Sequence, residues 1–232
     1  MNIFAMDTSS LTATVAVQND EKLLGEYSVS NKLMHSQTIL PMTDELLKNL
    51  SMTIDDIDVF SVCVGPGSFT GLRIGMATVK TFSQVLSKPV VGISSLDATA
   101  YNFFGTDGYV ICPIIDARRD EVYNALYLNG EKIVYDRALH IDRLLEELKG
   151  KKVIFAGDAV MVQREKILSH TSESWLIAPQ NLILPKASSV AYCAYQRALE
   201  HDFDDCFTLN PVYLRKSQAE RELEERSKIN KN

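Results

Sequence analysis

Residues Tyr109 to Tyr135 read YVICPIIDARRDEVYNALYLNGEKIVY. The apolar run Tyr109 to Ile115 stops at a carboxylate, Asp116, and a polar turn leads into a second apolar segment, Glu121 to Leu128. Asn129-Gly130 is a strong two-residue hairpin signal, and Lys132 to Tyr135 follows it as a third strand. The chain opens in the same way. Met1 to Met6 ends in Asp7, Ala13 to Val17 forms a second strand, and Asn19-Asp20 turns into Lys22 to Tyr27. Each three-strand meander is followed by a helical pattern and then by a strand closing on glycine. These are Gln37 to Leu50, then Val59 to Val64 with Gly65, and Asp142 to Leu148, then Val153 to Ala156 with Gly157. Two copies of β-β-β-α-β-α predict a duplicated α/β fold, with mixed sheets covered by helices. The boundary is expected in the Gly/Asp-rich bend Phe104 to Gly108. That gives an N-terminal domain, 1–104, and a C-terminal domain, 105–232, which ends in a helical tail.

The composition narrows the function classes. A chain of 232 residues with 46% apolar content can bury a sizeable core. The apolar start is broken by Asp7 and lacks a basic leader, and no run approaches a membrane span. The four cysteines form no C-x-x-C pair, which fits reduced thiols in a cytoplasmic protein. A net charge of −6 argues against a nucleic-acid binder acting alone, because phosphate neutralisation needs a basic face.

Between a buried-strand pattern and a helical one lies GPGSFTGLRIG, Gly65 to Gly75. Glycine is costly in backbone entropy, so residues here either take positive φ or let another backbone or a ligand approach closer than a Cβ allows. A strand, a Gly-rich turn and a helix start also present free N–H groups to an anion. The spacing matches neither common phosphate motif, and Ser68 does not sit in the G-x-S-x-G of an esterase elbow.

The helix that follows carries two apolar faces. At about 100° per residue, Leu72, Met76, Val79 and Leu86 gather on one side, and Ile74, Ala77, Thr78, Phe82 and Val85 on nearly the opposite one. Such a helix is either deeply buried or turns one face to a partner. Ile39, Met42 and Leu46 add an apolar arc on the helix before it.

The string Gly65-Pro66-Gly67-Ser68-Phe69-Thr70-Gly71-Leu72-Arg73 resembles the signature of the TsaB (YeaZ) family. So do Ile3 to Ser10, His35-Ser36, Gly92 to Leu96, Asp116 to Tyr123 and Pro211 to Arg215. The first half matches densely, and 131–210 only in outline. The resemblance implies the RNase H-like, actin-like ATPase (ASKHA) fold. It also implies a non-catalytic subunit of the complex that installs threonylcarbamoyl on the adenosine beside the anticodon of tRNAs reading codons that start with A. The catalytic TsaD would supply the chemistry and the ATPase TsaE would join. The chain would form a homodimer without TsaD and meet tRNA only within the complex, with no membrane involved.

In actin-like ATPases the acid and hydroxyls closing the first strand of each domain face phosphate. Asp7, Thr8 and Ser9 keep that equipment, whereas Asp116 and Arg118 stand where a second phosphate turn would need hydroxyls and glycine. The resemblance thus implies a vestigial phosphate cleft and no cofactor. The paralogous catalytic subunit binds metal through His-x-x-x-His. Here His35 has no second histidine, so no metal is assigned. A phosphotransferase would need the missing phosphate and adenosine loops, and a metallopeptidase the missing histidine. The resemblance also places the partner surface on the two first-domain helices, through His35, Ile39, Met42, Leu46, Leu72, Met76, Val79, Ser83 and Leu86. Phe82, as the bulkiest residue, is expected to point into the core, leaving Leu72, Met76 and Val79 outward.

Overall fold

A computed structural model of the chain describes residues 1–30, 34–170 and 174–215. The expected C-terminal helical tail lies outside the described residues. The first half contains β1 (Asn2–Asp7), β2 (Thr12–Asn19), β3 (Lys22–Ser30), α1 (His35–Asn49), β4 (Val59–Gly65), α2 (Phe69–Leu86), β5 (Val90–Ser94) and α3 (Ser95–Tyr101). The second half continues with β6 (Val110–Asp116), β7 (Glu121–Leu128), β8 (Glu131–His140), α4 (Ile141–Glu147), β9 (Val153–Ala156) and α5 (Ala159–Val162). It closes with α6 (Arg164–Leu168), β10 (Trp175–Ile177), α7 (Gln180–Ile183) and α8 (Ala187–Leu199).

The duplication is explicit in the sheets. One has the order β3-β2-β1-β4-β5 and the other β10-β9-β6-β7-β8. In each, the opening strand is central. It pairs antiparallel with its meander neighbour and parallel with the strand that returns after the helix. Asp7 and Asp116 end these two central strands, so the matched aspartates occupy equivalent places.

Both faces of the first sheet are covered. Phe4 and Met6 point toward α1 and α2, among Ile39, Met42, Leu46 and Met76. Ile3 and Ala5 alternate to the other face and meet Ala187, Val190, Ala191 and Ala194 of α8. The alanine-rich face of α8 lets that helix lie close on the strands. α3 instead packs on β6 and β7. The two sheets therefore share helices: α3 reaches over to cover the second sheet with Leu96 and Ala100 while Ala98 stays in the first core, and α8 returns to cover the first. The bend Phe104 to Gly108, expected as the boundary, lies between α3 and β6.

The structure corrects the expected orientation of α2. Leu72 and Val79 are fully buried, and Met76 and Ser83 nearly so, on the side that rests on the sheet. Ile39, Met42 and Leu46 of α1 are likewise core, and Leu86 packs against the same cluster. Val85, assigned to the core side, is 75% exposed. Phe82 also reaches inward, edge-on to Phe4 at 6.2 Å, so the buried arc is wider than one face.

The glycines decide this rotation. A Cβ on Gly71 would stand 2.0 Å from the Thr8 carbonyl oxygen, one on Gly67 2.4 Å from the Ser9 carbonyl oxygen, and one on Gly75 2.4 Å from Thr8 Oγ1. Glycine at these three positions serves close approach. Gly65, at φ +112°, is the loop position that also needs a left-handed backbone. Seated on its glycines, α2 necessarily turns Leu72, Met76 and Val79 down, each contributing about 2 kcal/mol of apolar burial.

Gly71→Ala must move α2 or the Thr8 turn, and it is expected to cost about 3 kcal/mol in denaturant unfolding. Gly105, at φ +89° with nothing within 4 Å of its Cβ position, should cost only about 1 kcal/mol on the same change. Equal losses would mean that backbone conformation, not collision, fixes Gly71.

Candidate functional site

A cleft of about 500 Å³ opens between the sheets, beyond the ends of β1, β4 and β6. Its first-half wall comes from Ser9, Ser10, Gly67 and Ser68, and its second-half wall from Asp116, Arg118, Asp158 and Arg215.

Of Asp7, Thr8 and Ser9, expected to face this space, only Ser9 lines it, beside Ser10, whereas Asp116 and Arg118 both do. Asp7 is buried behind the serines and accepts the Ser9 N–H at 2.7 Å. Burial raises the Asp7 pKa, against the lowering effect of the Ser9 contacts and of the Cys63 thiol. The Thr8 hydroxyl is buried too, donating to the Gly71 carbonyl at 2.8 Å. The Ser9 carbonyl accepts from Ser68 N–H at 2.6 Å, and Ser68 caps α2 by accepting from Gly71 N–H at 3.3 Å. His35, half-buried at the start of α1, donates from Nε2 to the Ser10 carbonyl at 2.7 Å. The signature loop thus lies on the strand-closing turn and uses its polar groups. His35 is part of that packing.

The second-half wall is acidic below and basic above. Asp158 accepts the Asp116 N–H at 3.0 Å. Its pKa is raised by burial, and further by the Asp116 charge. Asp116 accepts from Arg118 N–H at 2.9 Å and lies 3.5 Å from its guanidinium. Arg118, Arg119 and Asp120 all have left-handed backbones, at φ +67°, +55° and +58°. Three consecutive non-glycine residues there cost on the order of 1 kcal/mol or more each. The sequence contains no glycine to signal this turn. It is held by Glu121 N–H to Arg118 O and Ala117 N–H to Glu121 O, 3.2 and 3.0 Å. Among the described residues, no three His, Cys, Asp or Glu side chains converge as metal ligands.

A strap joins the two walls. Val212 N–H donates to Val64 O at 2.8 Å. The Tyr213 ring stacks on Phe69 at 3.9 Å and 10°. The Arg73 guanidinium lies 4.7 Å from the Phe69 centroid, and its Nε donates to the Tyr213 hydroxyl at 3.0 Å. Two residues on, Arg215 donates to the Ala117 carbonyl at 3.0 Å and pairs with Glu121. Thr70 stays exposed on the first turn of α2. In sequence, Pro211 to Arg215 shows only as a short motif far from everything it touches, so its bridging role was not legible there.

The family model described as "TsaD: tRNA N6-adenosine threonylcarbamoyltransferase" matches residues 24–223. The chain is 34% identical over 226 residues to the tRNA threonylcarbamoyladenosine biosynthesis protein TsaB of Bacillus subtilis, covering 95% of this chain and 96% of that one. Among solved structures it is similar to YeaZ from Pseudomonas aeruginosa, with 25% identity and a TM-score of 0.78 over 92% of this chain and 99% of that one. A polyphosphate/ATP-glucomannokinase from an Arthrobacter strain shares the fold alone, at 12% identity and a TM-score of 0.52 over 86% of this chain and 99% of that one. The duplicated architecture is thus the actin-like one.

Asp7 yields a pH-dependent expectation. Because its folded pKa is raised, its contribution to stability is complete below the unfolded carboxylate pKa and is lost as pH rises through the folded value. At neutral pH, above the ordinary carboxylate pKa, burying this group therefore opposes folding. Asp7→Asn keeps an acceptor for Ser9 N–H and removes the charge. It should therefore melt a few degrees above the parent at about pH 7, with the gap closing on acidification. A gap that widens on acidification would reverse the assignment.

Proposed function

The chain belongs to the TsaB family, and we propose that it is a non-catalytic partner subunit in the biosynthesis of threonylcarbamoyladenosine in tRNA. In this reading it holds a catalytic TsaD in its active arrangement, TsaE joins the pair, and the same surface pairs two copies of the chain when TsaD is absent. The net charge of −6 supports leaving most tRNA phosphate contacts to the partner.

The absence of a catalytic role is supported by where the polar groups go. Thr8 and the Ser9 backbone, positioned where a phosphate site would need them, are bonded to Gly71 and Ser68 instead. The opposite wall presents Asp116 under Arg118, a carboxylate already neutralised within the chain.

The observation that carries the partner reading is the outer side of α2. With Leu72, Met76 and Val79 in the core, the surface presents Ala77, Thr81 and Val85, one helical turn apart, flanked by the half-buried Ile74 and Thr78. Both threonine hydroxyls are turned inward: Thr78 donates to Ile74 O at 2.9 Å and Thr81 to Ala77 O at 2.8 Å. This leaves small side chains outward with no unmet hydrogen bond, a surface on which a second helix can pack closely.

Ala77→Arg and Thr81→Arg should leave the melting temperature close to the parent value and weaken association with TsaD, read by sedimentation. A charge desolvated without a partner costs about 3 kcal/mol, roughly a hundredfold in affinity. Folded variants that still bind TsaD like the parent would place the interface elsewhere. ATP hydrolysis by the isolated chain, abolished by Asp7→Ala, would overturn the non-catalytic assignment.

A further inference from the structure

A second cavity, of about 680 Å³, lies away from the cleft. β6 runs between them. It starts where Val110 pairs with Leu128, beside the Asn129–Gly130 turn that borders this cavity, and ends at Asp116 in the cleft, about 20 Å away. The walls come from both crossing helices, α3 and α8, and from the β7–β8 hairpin.

The walls are aromatic. Tyr101 and Tyr192 stack at 4.4 Å and 24°. Phe104, 41% exposed, meets Tyr101 edge-on at 5.4 Å, and Tyr127 lies 6.2 Å from Phe104. The floor is polar: the Asp97 carboxylate accepts from the Tyr127 hydroxyl at 2.5 Å and from Lys132 at 2.6 Å. Lys132 is shared with Asp136, at 2.6 Å. Arg197, at the rim, is occupied by Asp202, Asp204 and the Gly92 carbonyl. Each lining cation is held by a pair of carboxylates, Lys132 by Asp97 and Asp136 and Arg197 by Asp202 and Asp204; of these acids Asp97 lines the cavity, and its side chain stays 40% exposed. An unfilled fault in the core would be small and apolar. This space is instead of ligand size, with aromatic sides and a carboxylate at its base.

We infer that this cavity is a binding site for a planar aromatic molecule bearing an amino group, neutral or cationic. The tyrosine and phenylalanine rings would take the flat ring by stacking, and Asp97 would accept from the amino group. The surplus of carboxylates disfavours anionic counterparts of the same shape. The ligand would touch both crossing helices at once, so it should stabilise the folded chain as a whole.

The test uses the full chain with two matched pairs of probes, tryptamine against indole-3-acetate and adenosine against adenosine monophosphate. Binding is followed by ligand-observed NMR and by thermal shift. Tryptamine and adenosine should bind saturably and raise the melting temperature, while their anionic counterparts bind at least about tenfold more weakly. Phe104→Ala should weaken both amines by about tenfold. Asp97→Asn should narrow the preference over the anions to within about threefold. Because Asp97 also holds Lys132 and Tyr127, the exposed Gln196 provides a second variant that leaves these contacts intact. Gln196→Lys places a cation at the rim and should weaken tryptamine more than adenosine. The inference is overturned if neither amine binds saturably, if each anion binds as well as its amine, or if Phe104→Ala and Gln196→Lys leave tryptamine binding unchanged.

Discussion

The structure depends on the seating of α2 against the turn that closes β1. Gly67 just before α2 and Gly71 and Gly75 within it bring backbone closer to Thr8 and Ser9 than a Cβ would allow, and the Thr8 hydroxyl and Ser9 carbonyl bond across the contact. That single approach orients the helix, buries Leu72, Met76 and Val79, and determines which side chains remain outside. It also decides what the cleft can offer, since the groups that close the strand are used in holding the helix.

The two walls of the cleft are built differently. On the first side Asp7 and Thr8 are buried in packing, bonded to Ser9 N–H and to the Gly71 carbonyl. On the second side Asp116 lines the cleft, and the turn after it runs through Arg118, Arg119 and Asp120 in a left-handed conformation. The strap from Val212 to Arg215 then ties the walls together through a stacked ring pair, an arginine on those rings, and a second arginine on the far turn. The cleft is cross-braced in this way, with Asp116 and Glu121 each paired to an arginine of the chain.

The crossing of α3 and α8 between the sheets has a comparable effect on the other side of the molecule. Each sheet completes its covering with a helix that follows the last paired strand of the other half. The halves therefore cannot separate without exposing Ile3, Ala5 and Val91 on one side or Leu96 and Ala100 on the other. The aromatic cavity lies against both crossing helices, where the two cores meet.

Much of the fold was legible in the chain itself. Strand alternation, the Asn-Gly hairpin turn and the matched Asp7 and Asp116 are local signals, each set by a few neighbouring residues, and together they specify the duplication and the order of elements. The need for glycine at 67 and 71 was legible too, because only close approach or positive φ justifies its entropic cost. What those glycines approach was not legible. Thr8 lies about sixty residues away, and the face that α2 buries follows from that contact: Phe82 does reach the core, as its bulk suggested, but the backbone fit at Gly71 and Gly75 buries Leu72, Met76 and Val79 with it. The left-handed run at Arg118 to Asp120, the ring stack between Phe69 and Tyr213, and the cavity beneath Tyr101 and Tyr192 are likewise products of long-range closure. Sequence determined which elements form and where the chain must be small. Tertiary structure alone decided which way each helix turned and which charges met, because those outcomes depend on distances between residues that no local pattern encodes.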